Sequence, residues 1–546
     1  MSFHHRVAAG SAVLIAGAML PAVAAGPAQA AKPTAPERGE VIQADFGVSE
    51  PLTALAARPQ PAERPSLEIV EPGRPVADAG FYGDTSNVQD ADAITPAVVP
   101  PSVSFDGLTG TAKPPDPVGD VGPNHYVEMV NTRVGVYTKA GANLLNVTIG
   151  SIFTGLPGTH NCEGNHGDPV VLHDQLANRW LLTQFTATSP FFLCVAVSQT
   201  ANPTGAYFLY AFSTGANFPD YPKFGVWSGA YLASTREFVG SGGAFAGVGT
   251  YALERAQMLV GGPAKALKVL LTTAGGAWRP GDGLLPADLD GTTLPPNPTL
   301  AYFIGTMDNG AGTGAPFDGV NVFWLRWNFA TNTVSLTLRS SLQTSAIDTI
   351  YPCSPTSRDC LEQMGTTQKL DILSYRQRPM HRAAYRNFGT FESLVTNQSA
   401  EFVFAGTSRA GLRWWELRGL GTTPVFAQQG AWASSGAAAI HRWMGSIAQD
   451  RARNMILGYS ISSSTMFPGI RYSGRLATDP VNTLPQGEGV FVNGTGAQTG
   501  SARWGDYTSM NIDPADDCTF WYVNQYYAVT GATWRTRIGH VRWPSC

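Results

Sequence analysis

RWGDYTSMNIDPADDCTFWYVNQYY, running from Arg503 to Tyr527, decides the fold. It opens on a polar cluster, Arg503-Trp504-Gly505-Asp506-Tyr507, crosses a short apolar strand, turns through Asp513-Pro514-Ala515-Asp516-Asp517 and rises into an aromatic strand. Short apolar runs bounded by Asp, Pro and Gly are the pattern of paired strands joined by tight turns. The same order of parts returns along the chain. GDVGPNHYVEMVN begins at Gly119, GDPVVLHDQLANRWLLTQF at Gly167 and DYPKFGVWSGAYLASTRE at Asp220. HRAAYRNFGTFESLVTNQSAEFVFAG follows from His381 and HRWMGSIAQDRARNMILGYSIS from His441. The spacing is about 60 residues from Arg382 to Arg442 and from Arg442 to Arg503, and about 50 from Asp120 to Asp168 and from Asp168 to Asp220. A period of about 50–60 residues suits one four-stranded propeller blade with its loops. Residues from about Leu284 to Gln343 lack the opening motif but supply strands for one more repeat. The reading is therefore an all-β chain, a β-propeller of seven blades, with six as the alternative count. Two packed β-sandwiches are the competing architecture, and the recurrent period argues against them.

Composition agrees. Of 546 residues 14% are charged, well below the roughly 25% of an ordinary soluble domain, while Gly (60) and Pro (39) are plentiful. That profile belongs to many short strands and turns rather than to long salt-bridged helices. A net charge of −4 gives no field for a nucleic-acid partner. The first residues carry a basic start at Arg6, an apolar run from Val7 to Ala25 and Ala28-Gln29-Ala30 before Ala31, the pattern of a secretory signal over residues 1–30. Residues 31–100 are rich in Pro, Ala and acidic side chains with poor periodicity, and read as an extended leader or linker ahead of a propeller domain at 101–546. No later stretch is apolar for long enough to span a bilayer. A secreted, monomeric protein is expected. In an oxidising compartment six cysteines read as disulfides, and proximity favours Cys162–Cys194, Cys353–Cys360 and Cys518–Cys546.

PPDPVGDVGPNHYVEMVN, GDPVVLHDQLANRWLL, FPDYPKFGVW, HRAAYRNFGTFESLV, HRWMGSIAQD, RYSGRLATDP and the Arg503–Tyr527 stretch resemble a widespread family of secreted bacterial propeller proteins, loosely labelled sialidase-repeat proteins. The resemblance spans about residues 101–546. It implies a propeller fold and export, and brings no catalytic set; no S-x-D-x-G-x-T-W box occurs.

In a propeller the loops leading into each first strand sit on one face, so residues at matching positions converge around the axis. The expected ring comprises Asp116, Asp120, His166, Asp168, Asp220, Tyr221, Lys223, His381, Arg382, Arg386, Arg442, Trp443, Arg503, Trp504 and Asp506. Paired carboxylates such as Asp168 and Asp506, with His381, are the expected acid/base groups. Asp120, Asp220, Tyr221, Lys223, Arg382, Arg442 and Arg503 would bind polar or anionic groups of a substrate, with Trp443 and Trp504 stacking on sugar faces. The competing reading is that these residues cap strand ends and pair between blades. No metal site is assigned. Calcium is the one cofactor left open, at Asp288, Asp290 and Gly291 or at Asp513, Asp516 and Asp517. G-x-S-x-G, H-E-x-x-H and G-K-[ST] motifs are absent. The expected function is a carbohydrate-active protein that cleaves an extracellular polysaccharide, as hydrolase or lyase. The alternative is a non-enzymatic propeller that binds glycan or protein at the cell surface.

Overall fold

In the computed structural model, residues 39–60, 88–272, 283–309, 315–345, 347, 359–372, 378–436 and 438–546 are described. The expected signal segment 1–30 lies outside them, as does Cys353 and with it the Cys353–Cys360 pairing.

The described chain is almost entirely strand, laid out as successive antiparallel meanders. Sheet A is built on first strand Val118–Val121, sheet B on Val170–Asp174, sheet C on Asn217–Val226 and sheet D on Leu285–Asp290. Sheets E, F and G start at Met380–Asn387, His441–Gln449 and Ser509–Ile512. The first strands of D and E pair in parallel, Ala287 to Asp290 against Ala383 to Arg386, which joins those two meanders. First strands of consecutive sheets lie against one another from A through G, and that of G also lies against that of A.

Burial explains the sequence texture. Inner strands are packed on both faces, so Phe191–Ser198 (FFLCVAVS) is buried at every position rather than at alternate ones. Large aromatics fill the gaps between sheets: Trp180, Trp227, Trp414, Trp415, Trp432 and Trp521 are fully buried. The disulfides Cys162–Cys194 and Cys518–Cys546 form as expected, with Cα separations of 5.8 and 5.6 Å.

The stretch read as a leader is in its described parts a belt around the outer edges. Gly39 lies against Val334 of sheet D. Glu40–Gln43 adds an outer strand to sheet C and Asp45–Val48 one to sheet B. The short helix Leu52–Ala56 buries Leu52 and Leu55 in the core of sheet A. Val88–Asp90 then pairs with Val425–Ala433 of sheet E. Ala97 donates to the Gln486 carbonyl and Val99 accepts from the Tyr472 hydroxyl, both in the region of sheet F. Finally Val103–Gly110 supplies the fourth strand of sheet G, paired with Trp534–Arg542. Among the described residues no helix is long and apolar enough to cross a membrane.

Candidate functional site

Three first strands share one backbone device, just ahead of Val118 and of Val170 and at a bulge within Asn217–Val226. Asp116, Asp168 and Tyr221 each have positive φ (47°, 47° and 52°) and each precedes a proline, Pro117, Pro169 and Pro222. Met444 of sheet F has the same turn (φ 55°) before Gly445. The kink exposes backbone N–H groups, which neighbouring sheets satisfy. Asp168 donates its N–H to Asn131 Oδ1 at 2.7 Å, and Asn131 in turn donates to Asp116 Oδ2 at 2.6 Å. Tyr221 donates its N–H to Asp168 Oδ2 at 3.1 Å. Asp506 donates its N–H to Asp116 Oδ1 at 2.6 Å. Gly505 permits this approach: a Cβ there would lie 2.5 Å from Gln525 Oε1 and 3.0 Å from Pro117.

These contacts gather one cluster at the leading ends of the first strands, with Asp116, Asp168 and Asp506 from three sheets linked through Tyr221 and Asn131. Asp116 is fully buried, and burial with the charges of Asp506 and Asp168 pushes its carboxyl well above the usual range. Burial and then Asp220 push Asp168 up to about 8, while Lys223 and Arg503 act the other way. Arg503 Nη2 holds Asp506 Oδ1 at 2.7 Å, and its Nε lies 3.8 Å from Asp371. Beneath them Tyr221 and Tyr507 meet edge to face at 5.9 Å, and the Lys223 ammonium sits between the rings. His381 completes the floor, fully buried, with its ring 6.3 Å from Tyr507 and with no hydrogen-bond partner for Nε2 among the described residues. Burial, with Lys223 and Arg382 nearby, holds His381 neutral well below its ordinary pKa.

The expected ring does not assemble as one. Asp120 accepts from the N–H groups of Val121 and His173, both at 2.7 Å, at the trailing ends of the first strands. It lies beside Asp288, Asp290 and Arg382, which line a small polar recess with His173 and Gln175. There Arg382 is locked by Asp288 at 2.7 Å and Asp290 at 2.6 Å. Arg386 is locked by Asp517 at 2.7 Å, and His166 contacts the Asn161 carbonyl. Arg442 reaches outward to Glu488 at 2.7 Å and Asp92 at 3.1 Å. Asp220 is paired with Arg236 at 2.9 Å. Trp443 and Trp504 cannot stack on sugar, because both are wholly buried against each other with ring centroids 5.5 Å apart. Lys223 is 1% exposed and out of reach of a ligand.

The carboxylates considered for calcium have other partners. Asp288, Asp290 and Asp517 hold arginines, Asp513 holds Lys139 at 2.7 Å, and Asp516 accepts from Thr519. Among the described residues no group of three His, Cys, Asp or Glu side chains is arranged to hold a metal ion.

No protein-family model matches the chain, and no curated protein sequence does. Solved structures give distant likenesses. A Hadza microbial sialidase is 10% identical over 77% of this chain and 73% of its own, with a TM-score of 0.32. The Penicillium chrysogenum α-L-arabinanase complexed with arabinobiose is 11% identical over 82% and 97%, TM-score 0.32. An ulvan lyase of a polysaccharide lyase family is 10% identical over 80% and 97%, TM-score 0.34. Likeness at this level of superposition does not establish a common fold or activity.

Proposed function

We propose that the protein is an exported carbohydrate-active enzyme that hydrolyses an extracellular glycan at the leading-end cluster. The observation that carries the reading is the set of carboxyls from three sheets, Asp116, Asp168 and Asp506, of which Asp168 is held protonated while Asp506 is bound by Arg503. A protonated carboxyl beside a bound carboxylate is the arrangement that acid/base cleavage of a glycosidic bond needs. Asp168 would give its proton to the leaving oxygen, and Asp506 would act as base or nucleophile. Hydrolysis is favoured over elimination of a uronate because the arginines that would neutralise the substrate carboxylate are already bound, Arg503 by Asp506 and Arg382 by Asp288 and Asp290.

The scaffold for this site is a seven-bladed propeller, each of sheets A to G being one blade. The contact of consecutive first strands, including G with A, supports closure, as does the strand at 103–110 completing sheet G. Two disulfides suit an oxidising compartment. The second reading is a non-catalytic propeller that binds glycan or protein, favoured by how many of the expected ring side chains are tied up in ion pairs with residues outside the ring.

The test is the purified protein on a panel of neutral and acidic polysaccharides, following reducing ends and unsaturated uronate together, with Asp168→Asn and Asp506→Asn as controls. New reducing ends lost in both variants are expected. Unsaturated product would overturn hydrolysis, and retention of a glycan without cleavage would establish the binding reading.

A further inference from the structure

The disulfides Cys162–Cys194 and Cys518–Cys546 differ in their surroundings. Cys162 and Cys194 are both wholly buried in an apolar core. Cys518 is wholly buried too, just before the second strand of sheet G, Thr519–Tyr526. Cys546 is only half-buried, beyond the last strand, Trp534–Arg542. Beside this bridge lies Arg451, in the turn between the first two strands of sheet F. Arg451 Nε donates to Cys518 Sγ at 3.1 Å and Nη2 to the Cys546 carbonyl at 3.4 Å. Its backbone N–H donates to the Asp517 carbonyl at 3.0 Å, which fixes the turn against Cys518.

The bridge is therefore unsymmetrical. One cysteine is within reach of solvent; the other is out of water and faces a guanidinium, which is always charged. A disulfide is exchanged when a thiolate attacks one sulfur and the other leaves as a thiolate, and a cation beside the leaving sulfur favours its departure. A buried thiolate without a partner would be costly. Arg451 is that partner, already in place. The acids next to Cys518 do not cancel it. Asp517 is held by Arg386 at 2.7 Å, and Asp516 accepts from Thr519 and pairs with Arg542 at 3.7 Å.

We propose that Cys518–Cys546 is a thiol-exchange site, at which a small external thiol attacks the Cys546 sulfur and Cys518 leaves as a thiolate held by Arg451. The electron pair of the attacking thiolate makes the new S–S bond, and the pair of the old bond stays on Cys518. The product is a mixed disulfide on Cys546. A second thiolate attacks the external sulfur of that product and releases Cys546, which takes up a proton. The bridge gains two electrons, and two external thiols are oxidised to their disulfide. The site lies at the trailing end of sheet G and is independent of the glycan reading.

In the experiment the full chain is exposed to reduced glutathione for timed intervals and quenched with N-ethylmaleimide. Peptide mass spectrometry then reads each cysteine in wild type, Arg451→Met and Arg451→Lys. Cys518–Cys546 is expected to open roughly tenfold faster than Cys162–Cys194, with glutathione trapped on Cys546 and maleimide on Cys518. Arg451→Met should slow that opening about threefold or more, and Arg451→Lys should restore most of the rate. Equal opening of the two bridges, or glutathione trapped on Cys518, overturns the proposal. So does an unchanged rate in folded Arg451→Met. If Arg451→Met does not fold, a thiol titration of Cys546→Ser decides, where Cys518 faces Arg451 alone. A Cys518 midpoint below the ordinary value of about 8.5 upholds the proposal, and one at or above it overturns it.

Discussion

Replacing Arg382 with methionine removes the guanidinium on which Asp288 and Asp290 converge. Its Nε bonds Asp288 at 2.7 Å, and its two terminal nitrogens bond Asp290 at 3.1 and 2.6 Å. Three charge-assisted hydrogen bonds at about 1.5–3 kcal/mol each give an upper figure near 5–9 kcal/mol. Relief of the arginine's own desolvation lowers that, and breaking a buried pair by removing one partner costs about 3–5 kcal/mol. The deficit must also depend on pH. Burial already raises the Asp288 carboxyl and Arg382 opposes the rise, so without the arginine it is raised further. An acid with a raised folded pKa loses stability as pH rises from its unfolded value through its folded one. Urea unfolding followed by the fluorescence of the buried tryptophans should therefore show a loss of about 3–5 kcal/mol near pH 8 that shrinks towards pH 5. Asp288→Asn in the same chain should recover part of it. A loss below about 1 kcal/mol, or one that does not change with pH, would refute the assignment of Arg382 to a structural ion cluster.

Asp168→Asn should abolish cleavage while leaving the melting temperature at neutral pH equal to wild type or higher, because the native carboxyl is protonated there and the amide resembles it; a clear drop on calorimetry would show that the ionised form is the structural one. Glu128 is buried with Oε2 accepting from the Leu108 N–H and its carboxyl raised to about 7, so its contribution is largest below its unfolded value of about 4.5 and is lost as pH rises to about 7. Glu128→Gln should flatten the melting temperature over that window, and an unchanged slope would contradict the assignment. Cys518 and Cys546 are separated by 28 residues, and a loop of that size predicts about 3–4 kcal/mol from the disulfide, to be read as the stability difference of the double serine variant.

The strands were legible because inner meanders carry apolar runs between Asp, Asn and Gly turns. The site was legible only in part, and register is the reason. Matching Gly119-Asp120 with Gly167-Asp168 makes Asp120 and Asp168 equivalents. The kinked residues before proline show that Asp116 is the partner of Asp168. Asp120 lies four residues further along the strand, about 13 Å away at 3.3 Å per residue, which puts it at the opposite end. The repeated Asp-Pro, Asp-Pro and Tyr-Pro pairs at 116, 168 and 221 carried that signal. Trp504 was misread because a polar neighbourhood in sequence is not one in space: Arg503 turns to the cluster and Trp504 into the core beside Trp443. Asn131, Tyr507 and Asp371 joined the cluster through contacts between sheets, which no local pattern reveals. The belt escaped because outer strands of three or four residues, open on one side, are too short to show a period.

That belt sets the order in which the molecule can be finished. A ribosome releases Glu40–Gln43 and Val103–Gly110 well before the strands they pair with. Ile42 pairs with Ala266, and Phe105 waits for Ile538, only eight residues from the end of the sequence given. Each of these strands is thus seated only after later parts of the chain are made, and until then it and the edge it covers stay unpaired. Contacts this distant in sequence make for slow, late commitment. A chain shortened by a single C-terminal strand would leave Val103–Gly110 without its neighbour.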